Sequence, residues 1–244
     1  MFKSNNTALV LCGHGSSSDL YKQDFKKSHK VIEKIMPTSC YFCFIEKNQP
    51  NIENCLRRIK QRGIEKVLFF PFLLFNGEHF EKDIKAKIKE LSKRLKLEIK
   101  LINKISLTKE VMPILKEKIS KILKTDKINI LVTFCSGSKN PKVGSELRLY
   151  TQKLAKNLNI SEAYSYFVGE ETEFIEKFKN LENEDYFFII QPIFLFKGYL
   201  QKKNLNFLNK LNNRNQQVLS TLMTIDDIQN LITKKLKSIS HITY

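Results

Sequence analysis

The sequence predicts an α/β protein made of two tandem modules, each a four-stranded parallel sheet flanked by helices. Three observations predict it. Short apolar runs alternate with longer, charged, amphipathic stretches, the order expected of β-α-β units. Several of the short runs, Val67-Leu68-Phe69-Phe70 among them, are apolar at every position, as strands covered on both faces are. The series also repeats. Leu9-Val10-Leu11-Cys12-Gly13-His14-Gly15-Ser16 aligns with Leu131-Val132-Thr133-Phe134-Cys135-Ser136-Gly137-Ser138. Phe44-Ile45-Glu46 falls opposite Phe167-Val168-Gly169, and Pro71-Phe72-Leu73-Leu74-Phe75-Asn76-Gly77 opposite Pro192-Ile193-Phe194-Leu195-Phe196-Lys197-Gly198. The offsets are 122, 123 and 121 residues, so three separate blocks share one period and define two copies, 1–125 and 126–244.

In chain order, the apolar runs place strands at 7–12, 41–45, 66–72 and 98–102, then at 128–134, 164–168, 186–192 and 217–222. The charged amphipathic stretches between them predict helices at 18–36, 51–61, 78–95 and 108–124 in the first copy. In the second copy they predict helices at 143–158, 172–181, 199–211 and 225–236.

Composition narrows the function classes. A chain of 244 residues with 42% hydrophobic and 27% charged residues buries an adequate core. No run approaches about 18 consecutive apolar residues, which excludes a membrane-spanning helix, and no secretory leader opens the chain, so the expected location is cytoplasmic. The net charge is +17, carried by 36 Lys and only 6 Arg. Arginine is the residue suited to reading bases and clamping phosphates, and the lysines are scattered along helical stretches, so nucleic acid is not the expected partner. A small polyanionic substrate is served as well by such a field. Five cysteines, Cys12, Cys40, Cys43, Cys55 and Cys135, show no disulfide framework. Cys40 and Cys43 lie three apart on an expected strand, facing opposite sides, and read as buried thiols.

The repeat permits an internal comparison. His14 becomes Ser136, Glu46 becomes Gly169 and His79 becomes Leu200, whereas Gly15, Ser16, Pro71, Phe75 and Gly77 persist as Gly137, Ser138, Pro192, Phe196 and Gly198. The second copy keeps turns and strands but loses the three groups able to bind a metal or move a proton. In a sheet of order 2-1-3-4, ligands bind outside the carboxyl ends of the strands, where His14, Glu46 and His79 would converge. Two imidazoles and a carboxylate suit Fe²⁺, Co²⁺, Ni²⁺ or Zn²⁺, and three protein ligands leave coordination positions open, as a reactive site requires.

Taken singly, each residue has a plainer reading: His14 as a turn residue, His79 as an exposed residue near a helix start, Glu46 as a cap or surface carboxylate. Gly13-x-Gly15-x-x-Ser18 also resembles a loose dinucleotide fingerprint, without its third glycine. Phe72, Phe75 and Phe80 are core residues by default and could flank a flat ligand. His29, in a Lys-rich helix, and His241 are expected to be solvated.

At these residues the sequence resembles the sirohydrochlorin chelatases of the small, class II type. Leu11-Cys12-Gly13-His14-Gly15-Ser16 resembles their first-strand motif, and Phe44-Ile45-Glu46 with Pro50 and Asn51-Ile52 their second. Pro71-Phe72-Leu73-Leu74-Phe75-Asn76-Gly77-Glu78-His79 with Asp83-Ile84 is similar to their third, and the second copy is similar to the degenerate half of the long, two-module members. Cys12 and Asn76 depart from the pattern. The resemblance implies two chelatase-like modules, the first catalytic, and the repeat suggests that they close on each other as an intramolecular pseudo-dimer. It implies insertion of Co²⁺, Fe²⁺ or Ni²⁺, as a substrate and not a resident cofactor, into sirohydrochlorin or a related tetrapyrrole, toward cobalamin or sirohaem. His14, Glu46 and His79 are then the metal-binding and catalytic residues, with Gly13, Gly15, Ser16, Phe75 and Gly77 lining the ligand site. Two other classes stand beside this one: a non-catalytic carrier of metal or tetrapyrrole, and a nucleotide- or phosphate-handling α/β enzyme using the Gly13–Ser18 loop as an anion cradle.

Overall fold

A computed structural model of the chain describes residues 4–75, 84–170, 172, 174, 176, 185–210 and 215–242. The first half contains strands β1 (Ser4–Gly13), β2 (Thr38–Phe44), β3 (Lys66–Phe72) and β4 (Glu98–Leu101). Helices α1 (Asp19–Ile35), α2 (Ile52–Gln61) and α3 (Ala86–Leu95) lie between them. α4 (Met112–Ser120) follows, and then β5 (Ile128–Cys135), α5 (Pro141–Asn157), β6 (Glu162–Phe167) and β7 (Tyr186–Pro192). α6 (Tyr199–Lys210), β8 (Gln216–Val218) and α7 (Asp226–Ile242) close the order. Most of the expected helix at 172–181 and residues 78–83 of the helix at 78–95 lie outside the described residues.

Two parallel four-stranded sheets result, with strand orders β2-β1-β3-β4 and β6-β5-β7-β8. The 2-1-3-4 order expected of the first copy is therefore present, and the second copy repeats it. By packing, the chain divides into one unit of Met1–Ile105 with Gln229–Tyr244 and another of Ser106–Ile228. No helix among the described residues is long and apolar enough to cross a membrane.

Both faces of the first sheet are covered, which explains its unbroken apolar strands. Ala8, Val10 and Cys12 of β1 pack with Val67 and Phe69 of β3 against Ile52, Cys55, Leu56 and Ile59 of α2, a helical i, i+3, i+4, i+7 stripe. Asn51 caps α2 by accepting the Asn54 amide at 2.8 Å. Phe25 and Ile32 of α1 are buried, and the same spacing buries His29, whose ring meets Phe42 edge-on at 5.0 Å. His29 is thus not the solvated residue its lysine neighbours suggested, and burial lowers its pKa. All five cysteines are buried, free thiols.

The second copy fills the equivalent space differently. Cys12 and Cys43 are register partners on β1 and β2, and their counterparts Phe134 and Tyr166 are register partners on β5 and β6. These rings stack at 5.8 Å, and Tyr166 stacks in turn on Phe174 at 5.1 Å. Aromatic bulk thus replaces small thiols without disturbing the ladder.

Candidate functional site

β1 lies between β2 and β3, and its last residue, Gly13, is in register with both Phe44, which ends β2, and Phe72, which ends β3. The segments leaving three strands therefore start from one level. The β1–β2 ladder continues past the strands: the Ile45 amide donates to Gly13 O and the Glu46 amide to His14 O, both at 3.0 Å. This continuation places His14 and Glu46 side by side. Nδ1 of His14 lies 3.5 Å from Oε1 of Glu46, and both side chains are nearly two-fifths exposed. An imidazole and a carboxylate held together yet open to solvent can accept protons or share a cation. Lys47 Nζ sits 3.6 Å from the same carboxylate oxygen.

Gly15 is required by close approach. Its φ is +98°, and a Cβ there would lie 1.9 Å from the Glu46 carbonyl oxygen. The neighbouring Ser16 amide donates to Asn48 Oδ1 at 2.7 Å, so the loop after β2 clamps the loop after β1. Gly13 is crowded from below, since a Cβ would stand 2.7 Å from both Tyr21 Oη and a Phe25 ring carbon. Tyr21 uses that space to reach the His14–Gly15 turn, accepting the Gly15 amide at 3.2 Å. Its hydroxyl is buried, which raises its pKa and keeps it protonated.

Tyr21 and Asn48 escaped the sequence reading, although the internal comparison carried a signal for one of them. At the offset of 122, Gly13 and Tyr21 become Cys135 and Val143, a paired exchange of bulk beneath the turn. Tyr21→Phe keeps the ring packing on Phe25 and Phe44 but orphans a loop amide. It is expected to cost about 1–3 kcal/mol, read by denaturant titration, and to leave the helix content unchanged.

Of the remaining expected residues, Phe75 is half-buried in the turn after β3, and Lys104 donates its ammonium to Leu74 O in that turn. His79 and Gly77 lie outside the described residues. Among the described residues no group of three or more His, Cys, Asp or Glu forms a metal-binding cluster, so the described part of the site is the His14–Glu46 pair.

The second copy keeps the backbone and lacks the side chains. The Val168 amide donates to Cys135 O at 2.9 Å, repeating the extended ladder, but Ser136 and Gly169 stand where the pair would be. Leu200, at the place of His79, is 39% exposed.

The CbiX family model matches residues 8–122, which is the first copy. The sirohydrochlorin cobaltochelatase of Sulfolobus acidocaldarius is 30% identical over 118 residues, covering 48% of this chain and 94% of that protein. The sirohydrochlorin cobaltochelatase of Methanococcus maripaludis is 35% identical over 81 residues, covering 32% of this chain and 54% of that protein. Among solved structures, SirB from Bacillus subtilis with Fe³⁺ superposes with a TM-score of 0.79 at 20% identity, over 96% of both chains. SirB from Bacillus subtilis subspecies spizizenii in complex with cobalt superposes with a TM-score of 0.74 at 18% identity, over 97% of this chain and 96% of that one. The two-module fold is therefore shared along the whole length.

Proposed function

The chain belongs to the CbiX family of class II sirohydrochlorin chelatases, and we propose that it inserts Co²⁺ or Fe²⁺, with Ni²⁺ as a further candidate, into sirohydrochlorin on the way to cobalamin or sirohaem. The observation that carries this reading is the His14–Glu46 pair at the carboxyl ends of β1 and β2, in the copy that matches the family.

Metallation exchanges two pyrrole N–H protons for one divalent ion, so the site must hold a cation and then take up protons. Neutral imidazole does both near neutrality, its ordinary pKa being about 6.5. In this reading His14 and His79 hold the incoming ion and accept pyrrole protons, and Glu46 steadies the ion and orients the His14 ring. Gly13, Gly15 and Ser16 keep the β1 loop low enough for a flat macrocycle to approach, and Phe75 with Gly77 borders it. The +17 charge draws in a polycarboxylate, an effect that weakens with salt. Five reduced thiols fit the cytoplasm.

The test is anaerobic mixing of the purified chain with sirohydrochlorin and Co²⁺ or Fe²⁺, followed by visible absorption against a control without protein. Metallation well above the control supports the chelatase. A shifted tetrapyrrole spectrum without metallation above the control makes the chain a carrier. No interaction with the tetrapyrrole removes the reading.

A further inference from the structure

Resting on that reading, we propose that Lys47 and Lys104 are the receptors for carboxylates on the rim of the tetrapyrrole, one at each end of the first module's mouth. Lys47 follows β2 and Lys104 follows β4, the two outer strands of the β2-β1-β3-β4 sheet, with His14 following β1, one of the two strands between them. Three interstrand steps separate β2 from β4, about 14 Å at the usual spacing. Acidic side chains radiating from the edge of a macrocycle centred near His14 would meet a cation on either side.

Lysine is abundant in this chain, so a lysine at the mouth carries little weight by itself. Three further observations distinguish these two. Lys47 is held at φ 60°, the left-handed region that residues with a Cβ avoid, whereas the matching turn of the second copy uses Gly169 at φ 105° for its left-handed residue. A strained conformation retained beside Glu46 keeps an ammonium at the site, 3.6 Å from that carboxylate and more than half exposed. Lys104 is held as well, by donating to Leu74 O in the turn after β3.

The second copy supplies the third observation. Lys47 corresponds to Glu170, following the Phe44-Ile45-Glu46 and Phe167-Val168-Gly169 alignment. The Ile102 amide donates to Phe69 O just as the Leu219 amide donates to Ile190 O, which makes Thr221 the counterpart of Lys104. The copy that lost His14, Glu46 and His79 therefore lost both cations too, one of them by reversal of charge.

The experiment separates this inference from the chelatase reading by measuring binding without metal. Uroporphyrin, a metal-free tetrapyrrole rich in carboxylates, is titrated into wild type, Lys47→Gln, Lys104→Gln and the double variant, with its fluorescence followed at low and high salt. Each single variant is expected to bind about threefold to tenfold more weakly and the double variant weaker still, with a flatter salt dependence. Lys47→Arg and Lys104→Arg should restore most of the affinity. With sirohydrochlorin and Co²⁺, the loss in the Gln variants should fall on KM more than on kcat. Lys47→Gln is the decisive variant should Lys104→Gln disturb the Leu74 turn. Affinity and salt slope equal to wild type in Lys47→Gln and in the double variant overturn the inference. Failure of wild type to metallate sirohydrochlorin would instead overturn the chelatase reading, while the porphyrin titration still reports on the lysines.

Discussion

His14→Ala is expected to lower the rate of metallation by about 10²–10⁴-fold, the range associated with losing a positioned proton acceptor, with loss of a metal donor in addition. The fold should bear the change easily. The imidazole is nearly two-fifths exposed, and its Nδ1 contacts include the carbonyl of the adjacent Gly15 at 3.2 Å and Glu46 at 3.5 Å. Stability should therefore move by less than about 1 kcal/mol, as exposed ion pairs and single local contacts generally do. Ser136→Ala, at the same place in the second copy, is the matched control and should leave the rate unchanged. Initial rates at equal protein concentration, with a thermal melt of each variant, measure both halves of the expectation. A slow but unfolded His14→Ala, or an equal effect of Ser136→Ala, would count against the assignment.

Gly15→Ala should be as damaging, for a different reason. A methyl group at that position would overlap the Glu46 carbonyl oxygen at 1.9 Å, and φ of +98° is itself unfavourable for alanine. The strained backbone and the overpacking each cost about 1–3 kcal/mol, so the substitution should remove about 2–6 kcal/mol of stability. To relieve the overlap, the β1 and β2 loops must separate, which breaks the Glu46 amide to His14 O bond and moves the imidazole from the carboxylate. Activity should fall with stability. Gly137→Ala, the counterpart in the second copy, meets no heavy atom of the described residues within 4 Å and should be tolerated. Denaturant titrations of the two variants, side by side, read the difference.

The sheets were legible in the sequence because strands covered on both faces are apolar throughout. Lys66–Phe72 and Tyr186–Pro192 agree with expectation at both ends. Boundaries governed by local hydrogen bonding were less legible. The helix expected at 108–124 begins as a π-type turn, Leu107–Val111, capped by Ser106 accepting the Lys109 amide, and α4 ends at Ser120. The last strand, expected at 217–222, is only Gln216–Val218, and a 3-10 turn follows at Leu222–Thr224. His29 was misjudged by weighing its lysine neighbours over its spacing, since residues 25, 29 and 32 share the buried face of α1.

For the site, duplication did what spacing could not. His14 and Glu46 are 32 residues apart, and only the repeat, together with the 2-1-3-4 order, brings them to one edge. Tyr21 beneath Gly13 and Asn48 across from Ser16 depend on where a Cβ would fall and on which way an amide points. No one-dimensional pattern encodes those distances.

In the proposed function the metal chemistry belongs to the first copy alone. Its most direct test is a Co²⁺ titration of the purified apo chain, followed by the visible d–d absorption that reports ligand type and number. The same titration is run on His14→Ala, Glu46→Gln, His79→Ala and the Ser136→Ala control. One equivalent of Co²⁺ per chain is expected, weakened or lost in each of the three first-copy variants and unchanged in the control. Two equivalents per chain, or a single one that survives all three substitutions, would contradict it.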